Sequence, residues 1–90
     1  MDNKETYFNS KEFRKILQRY EQSIKMEQQE YFESEELTDI AEFYYKEGRV
    51  GEAISVLDYA IRLHPGAAMP LVFRAVSYTH LRAHETRGNL

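Results

Sequence analysis

A chain of 90 residues with 42% hydrophobic residues and no cysteine buries only a small core and has no disulfide to compensate, which excludes an elaborate active site. Twelve Lys and Arg against 15 Asp and Glu, a formal charge of −3, provide neither a basic stripe nor a polybasic cluster, so nucleic acid and anionic membrane are not expected partners. No apolar run approaches the ~20 residues of a membrane span, and the start Met-Asp-Asn-Lys-Glu-Thr lacks the basic and apolar regions of a signal peptide; the expected location is the cytoplasm.

Residues 1–9 are polar apart from Tyr7 and Phe8 and read as a flexible N-terminal arm, closed by Asn9-Ser10 as a helix N-cap. Phe13, Ile16, Leu17, Tyr20 and Ile24 then recur at the spacing that puts one apolar stripe on a helix. This predicts an N-terminal amphipathic helix over 10–32, fading from Glu27, with Tyr31 and Phe32 extending it or beginning the next turn. A second periodic stretch starts after Ser34, a natural N-cap, with Glu35 and Glu36 where the helix dipole favours negative charge. Leu37, Ile40, Ala41 and Tyr44 share its face, and Gly48 can take the left-handed conformation that ends a helix. A third helix is predicted from Val50 to Leu63, carrying Ala53, Val56, Leu57, Ala60 and Ile61, before Pro65-Gly66 stops it. Pro70 suits the first turn of a fourth helix through Leu71, Val72 and Phe73. No strand-like alternation appears, so the fold class is all-α, built from antiparallel helical hairpins.

The order helix, Gly, helix, Pro over residues 34–67 resembles the tetratricopeptide repeat, whose period is ~34 residues. Ile40 stands at the family's leucine position, Ala41 at its small glycine position, Tyr44 at the tyrosine, and Gly48 at the turn. Ala53 and Ala60 take the small positions of the second helix, Leu57 the phenylalanine and Pro65 the closing proline. Leu37 replaces the aromatic first residue, and both it and Leu57 remain apolar. Residues 68–75 look like the start of a further unit, with Leu71 and Ala75 at its first and small positions. The resemblance implies a fragment of a right-handed α-solenoid, the truncated N-terminal piece of a non-catalytic protein-protein interaction scaffold. It also implies that the first helix of the pair lines a concave groove, with Glu35, Thr38, Glu42 and Tyr45 facing a protein or peptide partner. Members that grip acidic C-termini carry Lys and Asn on that surface. Thr38 and Glu42 stand in comparable places here and favour a basic or polar partner. Because repeats bury their apolar faces by stacking on neighbours, a lone unit is expected to leave its C-terminal side apolar and prone to self-association.

Residues 76–90 have a different character. Val76-Ser77-Tyr78-Thr79-His80-Leu81-Arg82-Ala83-His84-Glu85-Thr86 is similar, in order, to one reading frame of the transposase-end and adapter DNA of tagmentation libraries. The expectation is a non-native tail joined after Ala75. It removes from consideration the one spacing with a metal-site flavour, His80 and His84 four apart beside Glu85. Elsewhere no serine has a nucleophile-elbow context and no glycine-rich phosphate loop occurs, so neither catalysis nor a cofactor is expected. The competing class is an accessory helical domain of a larger enzyme or transcription regulator.

Overall fold

The computed structural model describes residues 3–89, with side chains over residues 6–79. It is all-helical, with elements α1 (Asn3–Phe8), α2 (Lys11–Lys25), α3 (Ser34–Lys46), α4 (Val50–Leu63) and α5 (Ala68–Asn89). Among the described residues, no helix is long and apolar enough to cross a membrane. The chain divides into two compact units, Met1–Tyr31 and Phe32–Leu90.

In the first unit, the segment expected as an arm carries the short helix α1. What organises it is an aromatic cluster: the Phe8 and Phe13 rings lie 4.9 Å apart and Tyr7 stacks obliquely on both. Ser10 serves both helices, since its hydroxyl donates to the Tyr7 carbonyl (2.6 Å) and accepts from the Phe13 amide (3.2 Å). Phe13, Leu17, Tyr20 and Ser23 form the buried face of α2. The Ser23 hydroxyl is satisfied there by the Tyr20 carbonyl at 2.8 Å. Ile24, expected on the apolar stripe, is instead exposed, and α2 stops at Lys25 rather than fading beyond Glu27. The stop is a Schellman motif: Gln28 N–H reaches the Ser23 carbonyl (2.8 Å), Glu27 N–H reaches that of Ile24, and Glu27 sits at φ 56°. A glutamate there has no composition signal to announce the turn.

In the second unit, α3 begins one residue earlier than its sequence cap suggests. Glu33 is the N-cap, and its amide donates to the Glu36 carboxylate at 3.0 Å, half of a capping box. Ser34 is therefore already helical. At the other end Gly48, at φ 84°, completes a second Schellman motif, with Arg49 N–H bonded to the Tyr44 carbonyl (2.9 Å) and Gly48 N–H to that of Tyr45. The chain reverses and α4 packs on α3. Leu37, Ile40, Ala41 and Tyr44 are buried on α3, and on α4 so are Ala53, Val56, Leu57 and Ala60. Ile54 and Tyr59 are buried as well, an unusually wide arc for an amphipathic helix, because α4 packs against α5 in addition to α3.

The exit from α4 is tied down locally. His64 caps the helix through its amide (2.8 Å to the Ala60 carbonyl), and Pro65-Gly66 form a turn closed by Ala67 N–H on the His64 carbonyl at 3.0 Å. The His64 ring lies with Nε2 2.7 Å from the Phe32 carbonyl. A carbonyl only accepts, so Nε2 carries the hydrogen. In α5, Pro70 lies in the first turn and is fully buried, as is Ser77. Met69, Leu71, Val72 and Val76 are exposed. The helix thus hides a proline and a serine while showing its larger apolar residues. Ser77 Oγ has no hydrogen-bond partner among the described residues.

Replacing Leu57 by Ala should cost about 2–5 kcal/mol in denaturant unfolding, since the side chain is fully buried between helices. The two Schellman motifs predict opposite responses. Gly48→Ala should destabilise by about 1 kcal/mol from backbone strain alone, because a Cβ there meets no atom within 4 Å. Glu27→Gly should stabilise α2 by about 0.5–1 kcal/mol, read as greater amide-exchange protection in its last turn. Ser77→Ala should raise the melting temperature, corresponding to about 1 kcal/mol, by removing a buried unpaired hydroxyl.

Candidate functional site

Glu35, Thr38, Glu42 and Tyr45 recur at helical spacing on α3 and lie to one side of its buried stripe. Glu35 is exposed and the other three are half-buried. The Thr38 hydroxyl donates to the Ser34 carbonyl at 2.7 Å, so toward a partner it offers acceptor lone pairs. The ring of Tyr45 meets Phe73 of α5 at 5.6 Å, tilted by 51°. That contact carries the α3 face onto the next helix and makes Phe73 a wall of the same surface. Within α3, Glu35, Glu36, Asp39 and Glu42 stand against Lys46 alone, so the surface is acidic. Its potential attracts cations, and screening by salt weakens it.

A second feature lies between α4 and α5, a cleft of about 410 Å³ lined by Asp58, Ile61, Arg62 and Arg74. Arg74 Nε donates to Asp58 Oδ1 at 2.6 Å, linking the two helices. The same guanidinium lies 5.0 Å from the centre of the Tyr78 ring, and that of Arg62 lies 5.8 Å from the centre of Tyr59. Residue types alone do not reveal this cleft, because Asp58 and Arg74 belong to different helices and no periodicity links them.

The hairpin turn is braced electrostatically as well. Arg49 pairs with Glu52 through both guanidinium arms, its Nη2 at 2.9 Å from Oε2, and its charge lies 4.7 Å from the Tyr44 ring centre. This hydrogen bond holds the Glu52 carboxyl below its usual range. A depressed carboxyl contributes stability at neutral pH and loses it as the pH falls through the lowered value. Being solvent-exposed, the pair contributes only a small part of the total.

Among the described residues no three His, Cys, Asp or Glu side chains converge as metal ligands. His80, His84 and Glu85 lie outside the residues whose side chains are described. His64, at the end of α4, acts as the tether from α4 to the segment before α3. No family model, curated protein or solved structure matches the chain.

Proposed function

We propose that the chain is a non-catalytic protein-interaction scaffold of the tetratricopeptide type, whose α3 face binds a basic or polar peptide segment. One observation carries the reading: the residues that the repeat pattern reserves for close helix packing, Ala41, Ala53, Leu57 and Ala60, are all fully buried on α3 and α4. The glycine assigned to the turn adopts positive φ as well. A helical pair of generic amphipathicity has no need to place alanine at those particular positions. Further support comes from α5, which follows the Pro65 turn and packs on α4, with contacts to α3 that include Tyr45 and Phe73. In such an arrangement Glu35 and Glu42 supply charge, Thr38 an acceptor and Tyr45 with Phe73 an aromatic ledge.

The experiment compares a lysine-rich decapeptide with a glutamate-rich one by titration into the labelled chain, following amide shifts. The basic peptide should shift α3 residues and bind more weakly as salt is raised. Glu35→Lys with Glu42→Lys should lower its affinity by about tenfold, or ~1.4 kcal/mol, with the melting temperature little changed. Tighter binding of the acidic peptide to the original chain would overturn the assignment.

A further inference from the structure

The formal charge of −3 conceals a separation of sign between helices. Five basic residues stand against two acidic ones on α2, and four acidic against one basic on α3. Lys11, Arg14, Lys15, Gln18, Gln22 and Lys25 are exposed and share the side of α2 opposite the buried Phe13, Leu17 and Tyr20, while Glu12 and Glu21 fall on its flanks. On α3, Glu35, Asp39 and Glu42 recur at i, i+4 and i+7 on the side away from Leu37, Ile40 and Tyr44. Lys46, one turn beyond Glu42, reduces that acidic excess without removing it.

Neither face is explained by the stability of its own helix. Lys11 and Arg14 stand in the first turn of α2, where the helix dipole disfavours positive charge. Lys11 with Lys15, and Lys15 with Arg19, are like charges four residues apart, and Glu35 with Asp39 repeats the pattern on α3. Such pairs destabilise a helix. Each face therefore repels itself, with opposite sign, and covering one by the other relieves both.

We propose that the basic face of α2 docks on the acidic face of α3 in a second copy of this chain. The inference rests on the reading of α3 as a surface for a basic segment, and it names that segment. Charge and spacing both match: Lys11 and Lys15 are set one turn apart, as are Glu35 and Asp39, on helices of 15 and 13 residues. A nucleic acid suits the α2 face less well, because the chain as a whole is acidic and its α3 carboxylates repel phosphates. Every copy offers one face of each sign, so a first contact leaves another pair of faces for a second, and association either closes as a dimer or continues as a chain. Exposed ion pairs are individually weak and screened, so this association is weak and dependent on salt.

The test is sedimentation of the full-length chain up to about 1 mM, at about 0.01 M and 1 M salt, where the Debye length is ~30 Å and ~3 Å. Association should rise with concentration at low salt and fall at least about tenfold at high salt. Lys11→Glu with Lys15→Glu, and separately Glu35→Lys with Glu42→Lys, should each yield a monomer with an unchanged circular dichroism spectrum. Mixed in equal amounts, the two variants should associate again, since each then meets faces of opposite sign. A chain that stays monomeric, association that persists at high salt and in both variants, variants that stay apart when mixed, or tighter binding of a single-stranded oligonucleotide to the α2 face would overturn the proposal. The lysine-rich decapeptide separates the two readings. If it shifts α3 while the chain alone stays monomeric, only the pairing of copies is wrong, whereas its failure to bind α3 overturns the reading of that face.

Discussion

The close approach of α3 and α4 is the constraint on which the unit Phe32–Leu90 depends. Helix axes come within ~8–10 Å only where side chains at the crossing allow it, and here Ala41, Ala53 and Ala60 provide that room while Leu57 and Tyr44 fill the space beside them. A turn of very few residues is a condition of the same contact, and Gly48 provides it by entering the left-handed region without strain. With α3 held this closely on one side, the other side of α4 is left to α5, so the place of the helix that follows the hairpin also depends on three alanines and a glycine.

Much of this was legible in the residues, because periodicity and punctuation report on the same physics. The bounds of α4 coincide with the reading from Val50 to the stop before Pro65, since the apolar spacing, the preceding glycine and the following proline agree. The failures have equally specific causes. A six-residue helix such as α1 has too few turns for a period to register, and depends on rings at Tyr7, Phe8 and Phe13 that come together only in three dimensions. The end of α2 was missed because Glu27 occupies a position that normally advertises itself as glycine. The cap of α3 lies at Glu33 because a side chain three residues ahead returns to its amide, a bond that outranks the intrinsic suitability of Ser34. On the α3 face, helical spacing grouped Glu35, Thr38, Glu42 and Tyr45, but the neighbour Phe73 required knowledge of how α5 packs.

The second unit presents surfaces of opposite character on neighbouring helices. The α3 surface has an excess of carboxylates, and the cleft beside α5 has an excess of guanidinium groups. Arg74 is oriented there by its bond to Asp58, a preorganisation that reduces the entropy lost when a further group binds. In α5 the usual logic of an amphipathic helix is reversed: Val72, 58% exposed, follows the fully buried Pro70. Such a helix gains little from the contacts it has compared with those its exposed side chains are able to make.

The bond from His64 to the Phe32 carbonyl closes a loop of chain that contains the whole hairpin. Contacts inside that loop join residues near one another in sequence, the class of topology that forms rapidly because little chain entropy is lost before each contact is rewarded. The imidazole bond spans the full interval and is the costliest closure in the set. Order of assembly is thereby written into the topology: the Gly48 turn and its flanking helices can form first, and the histidine latches a hairpin that already exists, slowing the separation of its ends more than it speeds their meeting.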